Sequence, residues 1–352
     1  VMKQYFSDVI QYRGTHYDFG YFQGELLRNS PILPNREKQW ESKKDRHFLV
    51  DSAAYKNIMA KIAPAILEEI HGLADALKLD TEKALRLFGG YYLEFTRSGC
   101  SIFAESNFMV RNYDSHPRGY EGRYILYEPT DKGYSVLGPS MQITGRVDGM
   151  NEKGLAMGYN FTHSKKSEDG FLCNMIGRLI LETCANVDEA ILLLEEIPHR
   201  HSFSYVLLDP SGESYVAEAS PRQVAVRKSS VCTNHFHLLD EENRYRQEET
   251  REREQTILKE QQHTTNPYEA YKVMNSQEHG VFSKKYDASA GTIHTSVYFP
   301  TELKAWFVIG PDRKPVILDF NKWLRGEDLN ITRVKGELDY HRPFVNMGET
   351  GN

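Results

Sequence analysis

The junction Gly99-Cys100, followed by Ser101-Ile102-Phe103-Ala104 and then by Arg111-Asn112-Tyr113-Asp114, holds the residues of this chain best suited to nucleophilic chemistry. A cysteine inside a chain has a thiol but no amine, and a free thiol is only a few per cent thiolate at neutral pH. Cutting the Gly99-Cys100 peptide bond would give Cys100 an α-amine beside its own thiol. Such an amine titrates at roughly 7.7–8.0 in reference peptides, which suits it to take the thiol proton directly or through a water. A nucleophile and its base would then sit in one residue. Glycine at position 99 fits this reading, because without a Cβ the backbone can take up a strained approach geometry.

The elements around the junction must position it. Before Cys100 the pattern is mostly helical: Ala53 to Leu79 carries apolar residues at helical spacing, Asp80-Thr81-Glu82-Lys83 opens a further run through Phe88, and an earlier helix starts near Tyr17. After Cys100 the period changes to two. Ser101 to Ala104 and Phe108 to Asn112 flank the turn-like Glu105-Ser106-Asn107, a tight hairpin. With the turn centred on 105–106, the register sets Arg111 opposite Cys100.

A second hairpin turns at Asn151-Glu152-Lys153-Gly154 within Thr144 to Phe161. Two helices follow, Phe171 to Ala185 and a second that Asn186 caps, running through Ile197. A meander comes next: Phe203 to Asp209, Ser214 to Ala219, Val224 to Arg227 and Val231 to Phe236. Glu241 to Gln262 reads as a charged, solvated helix, and Thr292 to Phe299 with Ala305 to Ile309 as a late strand pair. The tail after Arg333 reads as loosely packed. Strands, two helices and strands again, with helices on each side, give a layered α/β body with largely antiparallel sheets.

Composition narrows the function. With 40% hydrophobic residues the chain can bury a substantial core, and a net charge of −6 with scattered Lys and Arg argues against nucleic acid as a partner. No apolar run approaches the roughly 20 residues needed to span a bilayer, and Val1 to Asp8 lacks a signal peptide's apolar core, so the expected location is cytoplasmic and off the membrane. The four cysteines, at 100, 173, 184 and 232, show neither a C-x-x-C pair nor zinc-like spacing with histidine. His235 and His237 would share a face on a strand, with His199 and His201 as further donors, but no carboxylate or cysteine falls at supporting spacing, so no metal and no cofactor is expected.

Four separated segments together resemble the isopenicillin N acyltransferase family of N-terminal-nucleophile hydrolases, relatives of the choloylglycine hydrolases. They are Gly14-Thr15-His16-Tyr17-Asp18-Phe19-Gly20 with Gly24, the Gly99-Cys100 junction with Arg111 to Asp114, Asp148-Gly149-Met150-Asn151-Glu152-Lys153-Gly154-Leu155 ending in Asn160, and Thr233-Asn234-His235-Phe236. The resemblance implies an α+β fold, a four-layer αββα sandwich with largely antiparallel sheets. It also implies a precursor whose helical propeptide, 1–99, is severed by Cys100 attack on the Gly99 carbonyl and stays bound to the catalytic chain, 100–352, the two forming one domain.

By that resemblance Asp114 holds the new α-amine, Arg111 sits beside the nucleophile and favours thiolate, and the side-chain amide of Asn234 with the backbone N–H of Asn160 stabilises the tetrahedral oxyanion. A late arginine near the amine is matched to Arg251, within a charge run that also holds Arg244, Arg246 and Arg253. Tyr91-Tyr92, Phe95 and Phe103 could line an acyl pocket or simply belong to the core. The expected activity is that of a self-processing cysteine amidohydrolase or acyltransferase on a small linear amide, with an acyl-CoA donor and an oligomer both left open. The alternatives are a non-catalytic binding protein with Gly99-Cys100 intact, and a metal-dependent amidase.

Overall fold

Side chains alternate with period two through most segments after Cys100, and those segments form strands. The computed structural model describes residues 1–41, 52–91, 99–245 and 247–348. Among them two sheets face each other. The first runs, in spatial order, Val224–Lys228, Ser214–Ala219, Phe203–Leu208, Ala156–Phe161, Asp148–Asn151, Val136–Met141, Arg123–Pro129, Lys3–Gly14 and Arg333–Leu338. The second runs Val231–Cys232, Ser101–Ala104, Met109–Ser115, Ala290–Phe299, Lys304–Ile309 and Val316–Asp319. All these pairs are antiparallel except Lys3–Gly14 with Arg123–Pro129.

The sheets meet through side chains such as Tyr124 and Phe307, whose rings lie 4.4 Å apart. Helices Cys173–Thr183, Val187–Glu196 and His16–Arg28 pack on the first sheet, and Gln247–Gln261 with Pro267–Asn275 on the second. The layers are therefore helix, sheet, sheet, helix, the α+β arrangement expected. Local signals explain several boundaries. Asn186 caps the helix after it by accepting from the Glu189 N–H, worth about 1 kcal/mol. Pro64 splits the expected Ala53 to Leu79 run into Ser52–Ile62 and Pro64–Leu77, since proline is tolerated at a helix start and not inside one. The early glycines have a steric reason: a Cβ on Gly20 would lie 1.9 Å from Glu69 O, and one on Gly72 would lie 2.1 Å from Tyr17 O, so helices His16–Arg28 and Pro64–Leu77 touch backbone to backbone.

The structure corrects four readings. The described residues before Cys100 are mostly helical as read, but the reading left out Lys3–Gly14, a twelve-residue strand inside the first sheet. Its buried alternation, Tyr5, Ser7, Val9, has a serine at its centre, which hides the apolar signal. The tail after Arg333 is not loose: Arg333–Leu338 pairs with Lys3–Asp8, and Leu338, Phe344 and Val345 are buried. The segment Val231 to Phe236 is a strand only at Val231–Cys232, and it joins the second sheet beside Ser101–Ala104.

The fourth concerns register. Ala104 pairs with Met109 and Ile102 with Arg111, because the turn spans Glu105 to Phe108, closed by a Glu105 N–H to Phe108 O bond of 2.9 Å. Moving a turn by one residue moves pairing by two, and two is the period of the strand. Arg111 therefore sits diagonal to Cys100 rather than opposite, yet on the same face. Tyr92, Phe95 and Arg246 lie outside the described residues.

Candidate active site

The hairpin Ser101–Ala104 with Met109–Ser115 separates two environments. Cys100, Ile102, Ala104, Met109 and Tyr113 belong to the core between the sheets, whereas Phe103, Phe108 and Val110 pack with Ile257, Tyr271 and Met274 on the helix side. The Cys100 thiol thus faces the inter-sheet core and Phe103 faces away from it, which removes Phe103 from any acyl pocket beside the sulfur. Tyr91 is buried edge-on against Phe171, ring centroids 5.0 Å apart.

Three groups surround the sulfur. Arg111 Nη2 lies 3.5 Å from Cys100 Sγ, the Asp114 backbone N–H donates to it at 3.4 Å, and Asp114 O lies 3.7 Å away. Arg111 crosses to the other sheet, where Nη1 donates to Val147 O at 2.7 Å and to Asp148 Oδ2 at 2.9 Å, and Nη2 also donates to Tyr159 O. Gly158 makes room for it: a Cβ there would stand 3.0 Å from Arg111 Cδ. Asp148 is in turn bonded by His294 Nε2 at 2.9 Å and by the Tyr298 hydroxyl. Burial alone would raise the Asp148 carboxyl, but His294, Arg111 and Tyr298 hold it well below the usual carboxylate range. A charged Asp148 fixes the guanidinium next to the sulfur.

At the backbone end of Cys100 the contacts come from the helix side. Cys100 N–H donates to Asn234 Oδ1 at 3.0 Å, and Arg253 Nη1 donates to the same oxygen at 3.0 Å and to Cys100 O at 2.9 Å. Asn234 Nδ2 donates to Phe161 O at 2.7 Å, and Asn234 N–H is held by Thr250 Oγ1 at 2.6 Å. Asp114 Oδ1 accepts from Thr292 Oγ1 at 2.7 Å, next to a bulge between Thr292 and His294 that interrupts the pairing with Met109–Ser115.

Two shifts mark the site. Burial pushes the Cys100 thiol up to about 11, against the opposing pull of Arg111. Burial also raises the Asp114 carboxyl to about 7, with Arg253 and the Thr292 hydroxyl pulling the other way. A carboxyl poised near neutrality can both accept and return a proton at physiological pH. Gly99 and Asp114 line a cleft of about 460 Å³ together with Glu249, Glu252, Arg253 and Lys285, a size within the range of small-molecule sites.

The structure brings Gly99, Cys100, Arg111, Asp114 and Asn234 together. Asn160 lies in the strand Ala156–Phe161, with its side chain turned to Cys232 O at 3.0 Å and the preceding carbonyl, Tyr159 O, on Arg111. Arg251 is elsewhere. It is exposed and bonded to Asp240 and Gln247, while Arg253 reaches Cys100. The helical period explains the two-residue difference: Thr250, Glu254 and Ile257 form the inward face of Gln247–Gln261, which Arg253 adjoins and from which Arg251 points away. The charge run is thus solvated on one side only. Sequence reasoning missed Arg253 because this inward face holds a threonine and a glutamate where an apolar stripe would have marked it. A Cβ on Gly99 would meet Ala290, Asn234 and Asp114 at ordinary distances of 3.6 to 3.7 Å, so none of these neighbours demands a glycine there.

A family model described as acyl-coenzyme A:6-aminopenicillanic acid acyl-transferase matches residues 103–314, more than half of the chain. The chain belongs to that family. The family is one of acyl-transferring enzymes, in agreement with the resemblance read from the four segments. No curated protein matches the sequence. Among solved structures the acyltransferase-family chain is similar to penicillin V acylase from Agrobacterium tumefaciens, at 17% identity over 64% of this chain and 86% of that one, with a TM-score of 0.46. It is also similar to a mutant of conjugated bile acid hydrolase from Clostridium perfringens, at 16% identity over 70% and 98%, TM-score 0.44. A third is the Caenorhabditis elegans ortholog of N-acylethanolamine-hydrolyzing acid amidase, at 11% identity over 57% and 92%, TM-score 0.38. No helix among the described residues is long and apolar enough to cross a membrane.

Proposed function

We propose that the protein is a self-processing amidohydrolase or acyltransferase that acts on a small linear amide through an acyl-enzyme on Cys100. The observation that carries this reading is the clamp on one residue: Arg111 and the Asp114 N–H at its sulfur, Asn234 at its nitrogen and Arg253 at its oxygen, beside a cleft that Gly99 lines. A merely structural cysteine needs none of these contacts.

In the uncut chain the thiol attacks the Gly99 carbonyl carbon, a C–S bond forms, and the C–N bond to Cys100 breaks with its nitrogen protonated. Water then hydrolyses the thioester, which frees the Gly99 carboxylate and the thiol. Asp114, poised near 7, moves protons during this step and afterwards holds the new ammonium. Asn234 Oδ1, already on the Cys100 nitrogen, keeps that amine against the thiol. Residues 1–99 remain bound after the cut, because Lys3–Gly14 is paired on both sides within the sheet.

In turnover the Cys100 thiol attacks the substrate carbonyl and its α-amine passes the proton to the leaving amine. Asn234, with the Asn160 backbone N–H, stabilises the oxyanion, each donor worth about 3–4 kcal/mol in comparable sites. Water releases the acid in the hydrolase. In the transferase an acyl-CoA thioester or an amide loads the enzyme and an amine accepts. The test is to mix the protein with a panel of N-acyl amides, quench in acid and map the adducts by mass. The acyl group is expected on a peptide that begins at Cys100 and nowhere in a Cys100→Ser variant. Turnover with no adduct at Cys100 would overturn the reading.

A further inference from the structure

Behind the clamp, away from the sulfur, lies a second set of chemical side chains that the proposed reaction does not use. We propose that His235, His237 and Glu254 form a binding site for a divalent transition metal of the zinc type, and that this metal ties helix Gln247–Gln261 to the segment that carries Asn234.

The geometry comes from three places. His235 and His237 leave the strand end Val231–Cys232 with their rings stacked, centroids 4.9 Å apart at 26°. Glu254 projects from the inward face of the helix and splits its two oxygens between them, Oε1 at 2.7 Å from His237 Nε2 and Oε2 at 3.2 Å from His235 Nε2. All three donor atoms fall within 4.8 Å of one another. The edge of a tetrahedron around zinc, with bonds of about 2.0–2.1 Å, is on the order of 3.3 Å, so a small closure suffices. Along the sequence no carboxylate stands at supporting spacing from the histidine pair. Glu254 supplies it across the fold, and His199 is instead held by Leu194 O at 2.7 Å.

A second observation points the same way. His235 is buried, and its Nε2 makes no hydrogen bond, because Glu254 Oε2 stands near it outside hydrogen-bond geometry. Its other nitrogen, Nδ1, faces Thr250 Oγ1 at 3.1 Å and Thr233 Oγ1 at 3.4 Å. Contacts at Nδ1 orient the ring and turn Nε2 towards the ligand position, as outer partners orient metal-bound histidines. Two imidazoles and one carboxylate form a donor set of borderline softness that suits zinc, with a fourth position left for water. His237 is partly exposed and gives the ion a way in.

The position gives the site its consequence. His235 follows Asn234 in the chain, and Glu254 follows Arg253; Asn234 and Arg253 are the two side chains that meet over the Cys100 backbone. A metal held by the second member of each pair fixes the spacing of the first members.

The experiment uses the full-length Cys100→Ala chain without an affinity tag, so that the nucleophile cannot act as a ligand. After chelator dialysis, zinc is titrated in by calorimetry, cobalt(II) is added separately to read coordination by its visible absorption, and thermal unfolding is followed with and without zinc. Expected are one zinc per chain, a tetrahedral cobalt spectrum and a higher unfolding temperature with zinc. His237→Ala, at a partly exposed position that leaves the core intact, is expected to weaken binding at least tenfold and to abolish the temperature shift, and Glu254→Gln to do the same. The absence of saturable zinc binding in the parent chain overturns the site, as does equal affinity in parent, His237→Ala and Glu254→Gln. Neither result bears on Cys100 as nucleophile, which is scored separately by its acyl adduct.

Discussion

Among the described residues, two buried polar clusters are centred on an arginine, Arg178 in one and Arg111 in the other, and the two arginines are satisfied to different degrees. The first joins the early helices to the rest of the chain. His16 meets Asp131 at 2.7 Å and also Glu182; Arg178 binds Glu182 and Glu69 and donates to Thr144 O at 2.8 Å; Gln23 Nε2 donates to Glu69 at 2.7 Å and Gln23 Oε1 accepts from Arg123. Every nitrogen of Arg178 has a partner. The second cluster is the clamp around Cys100, and it is left incomplete. Arg111 Nε is buried without a hydrogen bond, the thiol is pushed far above neutrality and Asp114 is held near 7. Full pairing makes a staple that breaking one member would damage, whereas groups kept short of partners retain the capacity to react.

Cys100→Ser tests the reactive side most severely. Turnover of any amide substrate is expected to fall at least about a thousandfold, with the urea midpoint nearly unchanged. Arg178→Met tests the staple in the opposite sense. Leaving Glu69 and Glu182 buried without the guanidinium that balances their charge is expected to cost about 3–5 kcal/mol in urea unfolding, while activity per folded molecule holds. If Arg178→Met instead spared stability and removed activity, the contrast between the clusters would be reversed. Arg253→Gln is expected to slow turnover by about ten- to a hundredfold. Arg251→Gln, exposed and two residues away, should change stability by less than about 0.5 kcal/mol and leave turnover alone.

Asp114 gives a pH test with a definite sign. Its carboxyl is raised from 3.8 to about 7 by burial in the uncut fold, so the folded state holds a proton that the unfolded state has already lost. The stability tied to that proton is present below about pH 4 and is lost as pH rises towards 7, with a slope of at most about 1.4 kcal/mol per pH unit, and is flat above. Urea unfolding of Cys100→Ala between pH 4 and 8, compared with the same chain carrying Asp114→Asn, should show this decline only in the chain that keeps Asp114. The smallest effect is expected at Gly99. Because a Cβ there meets only ordinary contacts, Gly99→Ala should still be cut, and a complete block would show that the approach to the Gly99 carbonyl itself requires glycine.

Much of this arrangement was legible in the chain. The junction, the hairpin, Asp114 and Asn234 could be read because strand periodicity survives a turn misplaced by one residue and because their neighbours form short, distinctive runs. Arg111 kept its face for the same reason. What the sequence did not disclose depends on partners far away. Arg253 could not be told from Arg251 without the inward face of its helix, Thr292 reaches Asp114 from a strand 178 residues further on, and Glu254 completes the histidine pair from another element. The strand Lys3–Gly14 was hidden because its buried positions mix Ser7 with Tyr5 and Val9, so local hydrophobicity gave no alternation to follow.

The central claim, that Cys100 becomes a chain terminus by its own chemistry, is tested most directly by denaturing mass spectrometry of the purified protein beside its Cys100→Ala variant. The account predicts two polypeptides from the first, 1–99 and 100–352, and a single uncut chain from the variant. An uncut parent protein that is active, or a variant cleaved at the same bond, would contradict it.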